Sequence, residues 1–200
     1  YDDVQKVDKE FAAFWWNGDD GGTFYKVDDH FEFPNDNDFT NHPHVDAKLI
    51  YRGEDKESYR WYFKQRTNEF FDDYSDLIDL IRTFDPGTTP DSEFESAIEA
   101  MIDSDEWLKT LATRTIIGDW DSLGYNRGKN CYLYRPPELG KWMMIPWDSD
   151  LVFESGHTAD PIFHSGFPNI YRFVNWPRYK RRYYRYLLEL INGPFSRAEA

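Results

Sequence analysis

Oxygen-bearing side chains cluster in three stretches of the second half of the chain: Gly118-Asp119-Trp120-Asp121, then Asn130, then Trp147-Asp148-Ser149-Asp150. Oxygen donors of this type suit a hard cation such as Mg²⁺, which takes one or two carboxylates together with the oxygens of a substrate phosphate. The stretches bracket an apolar segment that reads as a two-stranded hairpin, Cys131-Tyr132-Leu133-Tyr134 and Trp142-Met143-Met144-Ile145, with Arg135-Pro136-Pro137-Glu138-Leu139-Gly140 as its turn. A hairpin brings its two ends together, so acids far apart in sequence meet in space. If residues 148–150 stay extended, Asp148 and Asp150 share one side of the backbone. A structural alternative stands beside this one. Asp119 and Asp121 would cap a turn, and Asp148 and Asp150 a helix, as short acids commonly do.

The order is informative. In phosphoryl transfer by protein kinases, an Asp accepts the hydroxyl proton, an Asn after it binds metal, and a later Asp holds metal against the nucleotide phosphates. Asp121, Asn130 and Asp148 follow that order, although Asn130 lies nine positions after Asp121, and no H-R-D, D-F-G or G-x-G-x-x-G occurs. Other chemistries fit less well. Paired carboxylates also hydrolyse glycosides, but nothing here separates an acid from a nucleophile. His42-Pro43-His44 with Asp46 offers transition-metal ligands at a spacing that matches no compact zinc motif, and it reads as a solvated loop. The basic run Arg178, Lys180, Arg181, Arg182 and Arg185 is interleaved with Tyr179, Tyr183, Tyr184 and Tyr186, which marks a helix with one wet and one packed face.

The elements that must position these residues are mixed. Residues 4–16 have helical spacing, 23–27 read as a short strand, and 28–46 as a long surface loop. Residues 59–71 and 73–83 look helical, Ser92 begins another helix, and Asp103 or Ser104 caps a further one through Ile116. A final helix covers 178–191. The expectation is an α+β fold in one domain, residues 1–200.

Composition bounds the rest. With 8 Trp, 14 Tyr and 16 Phe in 200 residues, a sizeable core is available despite a hydrophobic fraction of 40%. No apolar run of about 18 residues exists, so no transmembrane helix is expected. The net charge of −14 argues against nucleic acid as a partner and suits a metal site or a basic partner. Cys131, the single cysteine, sits in an apolar alternating stretch and reads as a buried structural thiol.

The stretches Gly118-Asp119-Trp120-Asp121-Ser122, Asn130-Cys131-Tyr132-Leu133-Tyr134 and Lys141-Trp142-Met143-Met144-Ile145-Pro146-Trp147-Asp148-Ser149-Asp150 resemble the CotH kinase family, whose members show G-N-W-D-S-like, N-Y-Y-L-Y-like and I-P-W-D-x-D segments. Phe24-Tyr25-Lys26, the run from Ile102 to Leu108, and the run from Trp176 to Tyr183 extend the likeness over nearly the whole chain. The resemblance implies an atypical protein-kinase-like fold, mainly its helical C-lobe. It also implies ATP- and Mg²⁺-dependent phosphorylation of Ser or Thr on a protein substrate, for which a Ser-rich, basic protein is expected, and a location outside the cell or on the cell or spore surface. By position Asp121 is the catalytic Asp, Asn130 and Asp148 are metal ligands, and Asp150 is a ligand or orients one. Asp119 departs from the family's Asn, a change expected to raise a neighbouring carboxylate's pKa or to recruit a second cation. Gln5 stands where a Glu is usual, Lys26 reads as a structural strand lysine, and the family's N-terminal lobe is expected before Tyr1. The alternative is a non-catalytic surface-binding or adhesin-like protein on the same fold, suggested by the expected absence of the N-terminal lobe from this stretch and by the excess of aromatics.

Overall fold

The structure, a computed structural model, describes residues 5–32, 40, 43–154, 156 and 159–196. Its centre is a four-stranded antiparallel sheet in the order β4-β1-β5-β6, formed by β1 (Phe24–Val27), β4 (Phe63–Gln65), β5 (Cys131–Tyr134) and β6 (Met143–Pro146). Strands β5 and β6 form the expected hairpin, with Cys131 opposite Pro146 and Tyr134 opposite Met143. All four residues of β5 are buried, because both faces of the sheet are covered. On one face Tyr25, Val27, Leu133 and Met144 join the main core. On the other, Phe24, Tyr132 and Tyr134 pack beneath α1 (Lys9–Trp15), with the Phe24 and Tyr134 rings stacked 4.1 Å apart.

The helices that follow fill the main core. They are α2 (Ser75–Phe84), α3 (Asp91–Met101), α4 (Ser104–Ile117), α5 (Pro168–Asn175) and α6 (Pro177–Asn192). Phe84 stacks on Trp107, and Phe173 sits against both Phe84 and Tyr179. Burying a side chain of this size contributes roughly 2–3 kcal/mol. Asp103 caps α4, its carboxylate accepting from the Glu106 amide at 3.0 Å. The helix is then fixed along the hairpin edge: Trp107 Nε1 donates to the Trp142 carbonyl at 2.9 Å, and the Met144 amide donates to Glu106 Oε2 at 2.9 Å. Gly118 ends α4 in the left-handed conformation with φ of 65°, which turns the chain directly into Asp119-Trp120-Asp121.

An α+β fold is therefore present, with several corrections to the expected elements. Residues 59–71 are not helical: a 3₁₀ turn at Lys56–Ser58 leads through further turns into β4. The first helix starts at Lys9, not near residue 4. The 28–46 segment contains a small antiparallel pair, β2 (His30–Phe31) with β3 (His44–Val45); His42 lies outside the described residues. Helix α5 was not anticipated. Cys131 is free and buried as expected, and burial pushes its thiol up to about 12.

Candidate functional site

The site is assembled where the chain leaves α4 and where the two strands of the hairpin end. Asp121 is buried, and the Asn130 side chain closes on it: Nδ2 donates to the Asp121 carbonyl at 2.8 Å and to Asp121 Oδ2 at 3.2 Å. Asn130 adopts φ of 59°, a conformation tolerated by Asn better than by most residues. At the other end of the hairpin the Trp147 amide donates to the Asn130 carbonyl at 3.0 Å, so the residue before Asp148 is joined to Asn130 itself. Asp148 and Asp150 are exposed, and neither has a hydrogen-bond or ion-pair partner among the described residues. Asp148 has φ of 56°, so the 148–150 segment is not extended and the two carboxylates do not simply share one side of a strand. Among the described residues, no helix begins at Asp148 or Asp150 for them to cap.

Asp119 departs from its expected role. It is fully buried and faces the buried Arg114 of α4, with Nε 3.5 Å from Oδ2. Burial raises the Asp119 pKa; Arg114 opposes this, while Asp121 and Asp150 reinforce it. Its carboxylate is enclosed with a guanidinium and a serine hydroxyl, Ser149 Oγ at 3.4 Å, and so does not present a second cation site at the surface.

Three residues here escaped the sequence reading: Arg114, Lys129 and Ser149. Lys129 Nζ lies 2.9 Å from Asp121 Oδ2 and is one-quarter exposed. Burial acts to lower its pKa, but the hydrogen bond to Asp121 together with the negative charges of Asp121 and Asp29 raises it on balance. Its position beside Asn130 was the one available signal. The loop bearing it is tightly seated. A Cβ on Gly128 would come within 2.3 Å of the Ala47 backbone, the Ala47 amide donates to the Gly128 carbonyl at 3.2 Å, and the Gly128 amide donates to Asp46 Oδ1 at 2.9 Å.

Among the described residues, one group of three acidic or histidine side chains brings its ligand atoms within 4.8 Å of one another: Asp29, His44 and Asp46. The Arg127 guanidinium already spans both carboxylates, at 2.6 Å from Asp29 and 3.2 Å from Asp46, so the cluster serves as an anchor for the Lys129 loop. The basic run of α6 is likewise engaged. Arg178 pairs with Glu95, and Arg182 with Glu99 and Asp105, while Tyr179, Tyr183 and Tyr186 are buried, giving the wet and packed faces expected. Lys26 lies 3.5 Å from Asp28 as a strand lysine.

Comparison with known proteins identifies both a family and a curated relative. A family model described as CotH kinase protein matches residues 1–200. Inner spore coat protein H of Bacillus subtilis (strain 168) is 27% identical over 202 residues, covering 98% of this chain and 50% of that protein. The chain thus spans about half the length of that curated relative.

Proposed function

The chain belongs to the CotH kinase protein family, and from that premise we propose that it transfers a phosphoryl group from metal-bound ATP to Ser or Thr hydroxyls of a protein substrate, on an atypical kinase-like fold. The observation that carries this reading is the junction of the two hairpin ends. Asn130 contacts Asp121 through its amide and Trp147 through its carbonyl, next to two exposed aspartates that have no partner among the described residues.

The donor set suits Mg²⁺, being made of carboxylate and amide oxygens without imidazole or thiol. Asn130, Asp148 and Asp150 would hold the ion, which when bound supplies neutralisation of the phosphate oxygens. With its Nδ2 committed to Asp121, the Asn130 amide oxygen is the atom left to face a cation. Asp121 would accept the proton of the substrate hydroxyl, and the Asn130 and Lys129 contacts on Oδ2 hold that carboxylate in one orientation. Lys129 also brings a positive charge beside a site rich in acids, which helps admit an anionic nucleotide. A Ser-rich, basic protein suits the acidic chain as substrate. The spore-coat name of the relative supports a position at the cell or spore surface.

The test is transfer of labelled phosphate from Mg-ATP to a Ser-rich basic protein. Asp121→Ala and Asp148→Ala are each expected to lower the rate about 10²–10⁴-fold. Full activity in both variants sinks the assignment.

A further inference from the structure

Arg114 is 2% exposed and Asp119 0%, and the pair lies behind the site, away from the surface where a substrate would arrive. Arg114 reaches two elements. Its Nη2 donates to the Asn130 carbonyl, the same oxygen that receives the Trp147 amide, and its Nε faces Asp119 Oδ2 at 3.5 Å. Asp119 in turn accepts from Ser149 Oγ at 3.4 Å, one residue beyond Asp148. The guanidinium and carboxylate therefore touch the foot of β5, the segment after β6 and the turn carrying Asp121, while themselves belonging to α4 and its exit.

Stability does not account for such a pair. Removing two charges from water costs more than their attraction returns unless the remaining donors and acceptors are satisfied. Here Arg114 Nε and Nη1 and Asp119 Oδ1 are buried without a hydrogen-bond partner among the described residues. An apolar pair of similar bulk would be tolerated at least as well by the core. What the charged pair supplies is a buried link at the roots of Asn130 and Asp148, beside the Trp147 amide bond and inside the outer links from Trp120 Nε1 to Glu154 and from the Phe153 amide to the Ile117 carbonyl.

We propose that Arg114 and Asp119 are positioning residues for cation binding, a buried strut that sets the spacing of Asn130 and Asp148. The proposal rests on the phosphotransfer reading above. Groups that orient metal ligands without touching the metal are typically worth about 10–100-fold in metal affinity.

The experiment measures Mn²⁺ binding calorimetrically, with a non-hydrolysable ATP analogue present, in variants whose folding is verified by circular dichroism and thermal melting. Arg114→Met combined with Asp119→Asn removes both charges without stranding either. It is expected to melt close to the parent and to bind Mn²⁺ about 10–100-fold more weakly. Ser149→Ala, at an exposed position, reads the same strut where the double variant does not fold, with a weakening of a few-fold expected. Parental Mn²⁺ affinity in the folded double variant, or in Ser149→Ala should the double variant fail to fold, overturns the strut. Asp148→Ala is the control for the underlying reading. If it too binds Mn²⁺ like the parent, the cation site itself is misassigned and the strut falls with it. If it alone loses binding, the site stands and only the strut fails.

Discussion

Glu106 is half-buried, with one carboxylate oxygen accepting from the Met144 amide and the other from the Thr110 hydroxyl at 3.0 Å. Burial raises its pKa from 4.5 to about 7, against the lowering effect of those two bonds. The sign of the consequence is fixed. Between about pH 4.5 and 7 the native state keeps a proton that the unfolded chain has released, so stability falls as pH rises through that window and is flat above it. At about 1.4 kcal/mol per pH unit of displacement, the fall is at most about 3 kcal/mol. Glu106→Gln can keep both contacts and has nothing to titrate. Its urea midpoint is expected to drop less than the parent's between about pH 5 and pH 8, and parallel curves would remove Glu106 from the account. The same scale explains what could be read of the site in advance. Asp121, Asn130 and Asp148 could be singled out in advance because their types and order point to a phosphate chemistry without reference to distant partners. Arg114 and Ser149 were not, because an arginine in a helix and a serine in a loop acquire meaning only from partners 16 and 30 positions away.

Elements with strong local signals were legible, and those made by distant pairing were not. The β5–β6 hairpin, α2, α3, α4 and α6 fall within a few residues of their expected limits, since apolar periodicity, a capping Asp103 and turn residues all agree there. Tyr59, Tyr62 and Phe63 also have helical spacing, yet Phe63 lies opposite Val27 in the sheet, and that pairing overrides local periodicity. Helix α5 carried its own signal, Pro168 at its start and Ile170, Phe173 and Val174 at helical spacing, but its 8 residues are short. Helix α4 matters most among these, because it holds both the Glu106 contact to β6 and Arg114. Asp103→Ala removes the cap bond to the Glu106 amide at the end remote from Gly118. A loss of about 1 kcal/mol in chemical denaturation is expected, with phosphotransfer at the parental rate in folded protein. A loss of activity without a loss of stability would show that the N-terminus of α4 acts on the site directly.

At the scale of the molecule, the aromatic excess and the acidic charge have different fates. Trp107, Trp142, Phe84, Phe94, Phe173 and Tyr179 are consumed by the core, while Phe14, Trp15, Trp61, Phe70 and Phe71 stay exposed, so only part of the aromatic excess is left for a binding surface. The charge stays outside. Arg127, Arg178 and Arg182 are committed to acids, Lys129 to Asp121, and a formal net charge of −14 remains. A field of that sign draws a basic polypeptide towards exposed Asp148 and Asp150 and repels an acidic one. At physiological salt it is screened over about 8 Å, so it acts mainly on encounter and little on chemistry inside the site. For a Lys/Arg-rich protein substrate, raising ionic strength from about 0.05 to about 0.5 M is therefore expected to increase KM roughly tenfold with kcat nearly unchanged. For a Ser-bearing peptide without Lys or Arg, KM is expected to stay nearly constant, which separates loss of protein attraction from weaker nucleotide binding. Equal responses of the two substrates would mean that the acidic surface serves solubility and takes no part in selecting what is phosphorylated.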